Sequence, residues 1–392
     1  MTAPRLFAST LAAALLMATL AAPSFALDAE HRAKAEAAIA KATAWLKSQQ
    51  SAEGSWSPKY GPAVTGLIVA GMLDGQNPDP TDPALAKAID YILAHQKPDG
   101  GIYDQILGNY NTSICLMALG RLPDQDKVAP NIKKAQDYLR NLQWAGQEDP
   151  DGETIDPDHR WYGGAGYGGH GRPDLSNTAT MIAGLHDSGL VCTDPAYVRA
   201  MSFISQLQGT KTNTKFGDQI EPGGGFIYSV SQGKDKMDQL ETKAGTVVDS
   251  TGKSRLRTYG SMTYAGFMSY LYAELDRDDS RVQDAYNWLR RNYTLQQNPG
   301  MVDDASTQQD ERRQGYYYYM HMLSRALNAW GDPTITDADG NKHNWPNELI
   351  DKLVSLQKSD GHWINDDHPR WAEADPNLAT AYAILALQHA LQ

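Results

Sequence analysis

Two kinds of apolar pattern alternate along the chain. The first is a stripe in which apolar residues recur at three- and four-residue spacing between charged ones. It is clearest in "DPALAKAIDYI" from Asp82, "DPAYVRAMSFI" from Asp194 and "DSRVQDAYNWL" from Asp279. That period predicts an amphipathic helix with one buried face. The three segments align without gaps. Asp opens each, Ala follows at the same spacing (Ala88, Ala200, Ala285), and an aromatic–aliphatic pair closes the stripe: Tyr91-Ile92, Phe203-Ile204 and Trp288-Leu289. "APNIKKAQDYL" from Ala129 and "EAAIAKATAWL" from Glu36 keep the Ala and the pair, and "WPNELIDKLVSLQ" follows more loosely. The opening Asp is placed to accept from the free amides of the first turn, and Pro suits the first helical position.

The second kind follows each of the first. "AVTGLIVAGML", "NTSICLMALG", "SNTATMIAGL", "SMTYAGFMSYL", "YYYYMHMLSRAL" and "NLATAYAILAL" begin with polar, small or aromatic residues and are apolar round most of the helical circumference. Such helices are expected to be buried on nearly every side. The result is six helix pairs, each with an amphipathic and an apolar member. A single pair cannot bury its apolar helix, so neighbours must stack. An open row would leave one side wet, whereas a closed ring covers it. The expected fold is therefore all-α: one α6/α6 toroid over residues 27–392, amphipathic helices outside and apolar helices inside.

A phrase recurs where the outer helices end. Gln50, Gly54 and Trp56 have the same spacing as Gln357, Gly361 and Trp363, and Gln96, Gly100 and Ile102 repeat it with Ile in place of Trp. The Gln belongs to the last helical turn, and the Gly lets the chain leave the helix. This Gln-x-x-Asp/Glu-Gly-x-Trp phrase resembles the repeat of squalene-hopene cyclases and protein prenyltransferase β-subunits. The resemblance spans the whole of residues 27–392 as a repeat architecture. It implies that Gln and Trp tie neighbouring helices together, and it carries no chemistry.

Composition narrows the class. The net charge of −12 argues against nucleic acid and anionic headgroups as partners. A positive start at Arg5, an apolar run and the small residues of "SFA" at 24–26 read as a secretory signal peptide cleaved after Ala26. The expected location is the periplasm or beyond, with no stable membrane insertion after cleavage. Export permits a disulfide. Cys115, however, lies near the start of one inner helix and Cys192 beyond the end of the next. At 1.5 Å per residue that is roughly 15–25 Å, far beyond the ~7 Å a disulfide spans. Two free thiols are expected.

The long connections fall at one end of the ring, where inner helices begin: 143–176 and 208–260, against 50–63 and 96–111. Elaborated loops on a repeat fold are where function usually sits. They carry Trp161, Tyr162, Tyr167, Phe226, Tyr228, Tyr259 and Tyr264, and with His321 and Trp371 these are the candidate ligand-binding residues. No phosphate fingerprint accompanies the glycines.

The family chemistries leave partial matches. Class II terpene cyclases use an Asp-x-Asp-Asp acid, which must be buried to stay protonated. Here Asp276, Asp278 and Asp279 have those letters, but alignment with Asp82 and Asp194 makes Asp279 a helix cap at the short-loop end. The zinc ligands of prenyltransferases are not matched: Tyr318 stands where the resemblance places a ligand His, with His321 one turn on, and no thiolate or carboxylate accompanies them. The thioester motif of related toroids is absent. No metal or cofactor is therefore expected. The acidic loop "NDDHPRWAEADPN" offers Asp366, Asp367, Glu373 and Asp375 before the last inner helix, and Asp156, Asp158 and His159 precede Trp161. Paired carboxylates could hydrolyse glycosides or hold calcium. Asp366, Asp367 and Tyr318 are the candidate catalytic residues. Three readings stand: an isoprenoid-like or other small or oligomeric substrate in the central funnel, a carbohydrate-active hydrolase or lyase, and a non-catalytic scaffold.

Overall fold

The computed structural model describes residues 27–75, 79, 81–169, 171–230, 240–302 and 311–392. The segment read above as a signal peptide, residues 1–26, lies outside them. Twelve α-helices run through the described residues. The odd-numbered ones are α1 (Ala29–Gln49), α3 (Pro83–Ala94), α5 (Ala129–Leu142), α7 (Pro195–Ser205), α9 (Ser280–Arg291) and α11 (Trp345–Leu356). The even-numbered ones are α2 (Ala63–Leu73), α4 (Gly108–Gly120), α6 (Leu175–Asp187), α8 (Gly260–Tyr272), α10 (Tyr316–Trp330) and α12 (Pro376–Leu391).

Burial separates the two sets. Ten of the eleven residues of α2 and fourteen of the sixteen in α12 are buried, against four of the twenty-one in α1. The even helices pack in sequence, α2 on α4, α4 on α6, and so on to α12, which returns to α2. The odd helices lie outside that cycle, and α1 packs on α11 and α12 to cover the seam. The expected closed ring of apolar helices is what the molecule adopts.

The aspartates that open the outer helices cap them. Asp82, Asp194 and Asp279 accept from the amides of Ala84, Ala196 and Arg281, each at 2.9 Å. Asp279 thus caps α9, and the Asp-x-Asp-Asp letters are a helix start. Such a cap contributes about 1 kcal/mol.

The recurring phrase is a brace, and the structure shows five copies rather than three. Gln50, Gln96, Gln143, Gln208 and Gln357 each donate through Nε2 to two carbonyls. One belongs to the following glycine (Gly54, Gly100, Gly163, Gly224, Gly361). The other lies in the first turn of the next outer helix (Ala84, Asn131, Ala196, Arg281) or, across the seam, at Ala38. Two residues past each glycine, a backbone amide donates to a Thr hydroxyl of the following inner helix. The pairs are Trp56–Thr65, Ile102–Thr112, Ala165–Thr178, Phe226–Thr263 and Trp363–Thr380. Glycine is required at Gly163: φ is +83°, and a Cβ would fall 1.7 Å from the Arg199 carbonyl oxygen. In the remaining pair, α9–α10, Tyr293 takes the Gln position and donates to Glu348 at 3.0 Å.

The helical patterns predict no strands, yet three small antiparallel hairpins sit in the connections. They are β1 (Ser229–Val230) with β2 (Leu240–Glu241), β3 (Thr246–Val248) with β4 (Ser254–Leu256), and β5 (Thr334–Thr336) with β6 (Lys342–Asn344). They sit outside the helices of the ring, although Val230 and Ile335 are buried with its core. Both cysteines are free, as expected.

The C-terminal ends of the inner helices are closed by charge. Arg121 on α4 meets Asp74 at 2.5 Å and Asp187 at 2.6 Å; Arg325 on α10 meets the same Asp187 oxygen at 2.7 Å and the Tyr272 hydroxyl at 2.9 Å. The two guanidiniums hold the buried Asp187 carboxylate well below its ordinary range, although burial opposes them.

Candidate functional site

The opposite end is hollow. A cavity of about 260 Å³ is lined by first-turn residues of all six inner helices and by the loops that enter them. Residues as far apart in sequence as Ala63, Tyr110, Ser176, Met262, Tyr318 and Tyr382 meet there. The inner helices are therefore parallel, with their N-termini at this mouth.

Seven tyrosines line the cavity: Tyr60, Tyr110, Tyr167, Tyr228, Tyr259, Tyr318 and Tyr382. Most of their hydroxyls are consumed within the wall. Tyr110 pairs with Tyr382 at 2.9 Å, Tyr167 with Tyr228 at 3.2 Å, and Tyr318 with Ser176 at 3.1 Å. A paired hydroxyl has little left to offer a ligand, so rings face the space. Tyr318 and Tyr382 meet edge to face at 5.8 Å. Lys243 approaches the Tyr228 ring at 4.6 Å from the mouth.

One carboxylate is among the lining residues. Glu373 lies just before α12 and is 1% exposed. Its oxygens accept from the Tyr316 and Tyr318 amides, both at 2.8 Å, and from Asn365 Nδ2 at 2.7 Å. It thus caps α10 from the loop that enters the neighbouring inner helix α12. Burial pushes the carboxyl up to about 7, against the pull of those three donors. Asp174, which caps α6 through the Asn177 amide at 2.8 Å, is pushed up to about 6 by the same cause.

Backbone strain gathers at the same place. Five described non-glycine residues have positive φ, and three of them, Leu107, Trp371 and Ala372, line the cavity. Trp371 has φ 55° and stays 42% exposed, against Gly315. Strain of this kind persists where the surroundings enforce it, commonly at ligand sites.

Several sequence candidates fall elsewhere. Asp366 and Asp367 are exposed and do not line the cavity; the chain turns inward only at Glu373. Phe226 is fully buried at a brace position, packed on Tyr270 and Gly266. Trp161 is 1% exposed in the loop before α6 and packs on Trp144 at 5.3 Å. Tyr162 sits against the core beside it, and Tyr264 packs on Tyr319 at 5.7 Å. None of these three reaches the cavity. His321 lies below the cavity, stacked between Tyr382 and His389 at 5.7 Å each and held neutral by burial. Tyr167, Tyr228, Tyr259, Tyr318 and Trp371 do line it. Sequence reasoning misses the rest of the lining, Glu373, Tyr110 and Tyr382 among it. Glu373 is one of several acidic residues in its loop, and nothing in the spacing singles it out. Tyr110 and Tyr382 each read as one more position of a buried helix.

Comparison with known proteins bears on the fold. Residues 61–230 match the family model of the squalene-hopene cyclase C-terminal domain. The type II terpene cyclase MstE from Scytonema, in complex with geranylgeranyl dihydroxybenzoate, superposes with a TM-score of 0.54. The match covers 93% of this chain and 100% of that one at 14% identity. The chain has a terpenoid cyclase-like toroid fold. This toroid architecture is not confined to one chemistry. A glycosidase superposes with a TM-score of 0.51 at 12% identity, covering 93% of this chain and 99% of that one. An alpha-amylase from Clostridium perfringens does so with a TM-score of 0.51 at 11% identity, covering 90% and 97%. No curated protein matches the sequence. For this toroid, as for its neighbours, the site must decide the function.

Proposed function

We propose that the mouth of the ring binds an apolar, isoprenoid-like molecule, with Glu373 as the group able to give it a proton. The observation that carries this reading is the wall itself: tyrosine rings with hydroxyls paired among themselves, around a single buried carboxyl. An apolar cavity with few polar groups is the common form of a small-molecule site. Ring faces also suit an electron-poor centre in the ligand. A carboxyl near 7 is half protonated at neutrality, so it can donate where an ordinary Glu cannot. The carbohydrate reading fits less well. Glycoside hydrolysis needs two carboxyl groups about 5–10 Å apart across the bond, and Glu373 has no partner carboxylate among the lining residues.

The test is a binding titration by tryptophan fluorescence with geranylgeraniol and with maltohexaose. Saturable binding of the first alone is expected, weakened at least tenfold by Tyr318→Ala. Binding of the second alone would overturn the reading. Glu373→Gln should retain the isoprenoid while losing any product formed from it.

We further infer that the protein is exported, on the strength of the apolar leader ending at Ala26. No helix among the described residues is long and apolar enough to cross a membrane. N-terminal sequencing of the processed protein should begin at Leu27.

A further inference from the structure

Three turns in the connections share one geometry: one inside the isolated Glu148–Thr154 bridge, and those of the β3–β4 and β5–β6 hairpins. Asp149, Asp249 and Asp337 each accept through Oδ1 from the amides two and four residues on, with glycine at the intervening position (Gly152, Gly252, Gly340) at φ of 80° to 87°. The second oxygen of each Asp then finds its own environment. That of Asp249 accepts from Arg255 Nε at 2.5 Å. That of Asp337 accepts from Asn341 at 2.9 Å and lies 3.2 Å from His343 Nε2, whose Nδ1 meets Glu348 at 3.0 Å.

Asp149 is different. Its side chain is 2% exposed, and among the described residues its second oxygen accepts no hydrogen bond. His159 Nε2 lies 3.7 Å from that oxygen and 4.0 Å from Glu153 Oε2. The His159 side chain is 8% exposed, and its Nε2 is buried without a partner. Three ligand atoms thus converge within 4.8 Å of one another. In the third hairpin the same residue types close on each other, whereas here they stand apart. The separation is too long for a hydrogen bond. It is wider than the roughly 3.3 Å edge of a tetrahedron with ~2.0–2.1 Å bonds, so the three side chains would draw together on an ion.

We infer that Asp149, Glu153 and His159 bind a divalent transition-metal ion such as Zn²⁺, with water completing the shell. One imidazole and two carboxylates make a donor set such ions accept. Arg160 and Lys215 are the neighbouring cations, and Asp149 and Glu153 offset them. Coordination has a structural consequence. The Trp161 amide donates to His159 Nδ1 at 3.1 Å, which puts the ring proton on Nε2. A neutral ring bound through Nε2 carries its proton on Nδ1 instead, so the Trp161 amide must let go. Trp161 lies edge-on to His159 at 5.9 Å and packs on Trp144. Loading is therefore visible in tryptophan fluorescence. The site lies on the loop that delivers Tyr167 to the cavity, and it does not depend on what the cavity binds.

The experiment is a ZnCl₂ titration of the full chain, followed by calorimetry and fluorescence. One equivalent is expected to bind at micromolar or tighter affinity with a change in emission. His159→Gln and Glu153→Gln should each weaken it at least tenfold, and His343→Gln on the third hairpin should leave it unchanged. Asp149→Asn preserves the turn acceptor and should also weaken binding. If Zn²⁺ fails to bind at millimolar concentration, or binds equally well to the His159→Gln and Glu153→Gln variants, the site does not exist. Binding of CaCl₂ that survives His159→Gln would also overturn it, because the imidazole would then not be a ligand.

Discussion

The two ends of the inner ring are built from the same six helices and could hardly differ more. At the C-terminal end two arginines and two aspartates fill the axis and satisfy one another. At the N-terminal end the axis is open, walled by tyrosines, and the backbone carries positive φ at Leu107, Trp371 and Ala372. The closed end holds the helices in register, so the open end can keep a cavity and strained turns without the ring collapsing into it. Stability and binding are thereby assigned to opposite ends of the same elements.

The largest test of that division is Asp187→Ala. It leaves Arg121 and Arg325 buried without their shared partner and should cost about 3–5 kcal/mol in denaturant unfolding, with no direct effect on the wall. The ends should also respond to pH with opposite sign. Asp187 is depressed, so its contribution is present above the ordinary Asp value of 3.8 and is lost as pH falls below it. Glu373 and Asp174 are raised, to about 7 and about 6. In the folded state they hold protons that the unfolded chain has released, so stability falls as pH rises from about 4 to 7. Glu373→Gln should flatten that upper slope and leave the acid limb untouched; thermal melts from pH 3 to 8 would show both.

Next in size is the brace. Gln208→Ala removes two hydrogen bonds to buried carbonyls and should cost about 2 kcal/mol, read by urea unfolding. At the mouth, Tyr228→Ala should weaken a bound isoprenoid alcohol about tenfold, or ~1.4 kcal/mol. Tyr228→Phe should change it less than twofold, since the hydroxyl serves Tyr167 rather than the ligand. The smallest effect is also the most pointed. Trp371→Gly removes a left-handed non-glycine residue, so stability should hold or rise by about 1 kcal/mol while ligand affinity falls. A variant that lost both would show that Trp371 braces the fold as well as walling the cavity.

What can be read from the sequence is whatever short-range spacing encodes. The Asp cap, the Ala and the aromatic–aliphatic pair lie within one helix, so alignment finds them. The brace is legible where Gln and Gly are four residues apart, as at Gln50 and Gln357. It is hidden at Gln143 and Gln208, where insertions separate Gln from Gly163 and Gly224, and so Phe226 reads as a ligand contact when it is a brace residue. The Gln208 register, fixed by Phe203-Ile204, is the signal that could have prompted a search for the displaced glycine. Glu373 is beyond reach for a different reason. Which of several acids in one loop turns inward depends on the α10 amides waiting on the neighbouring inner helix, and nothing local to "NDDHPRWAEADPN" records that. The gap between His159 and Asp149 is likewise set by tertiary placement.

The closing brace spans the seam between the two ends of the chain. Gln357 reaches Ala38 on α1 much as the earlier glutamines reach their successors, and Arg32 on α1 donates to the Leu391 carbonyl at 3.2 Å. A linear stack of repeats frays from its outermost members. Here the first and last members clasp each other, so there is no outermost member to peel away. Amide exchange should accordingly be as slow in α12 as in α6, and opening should be a concerted event of the whole band.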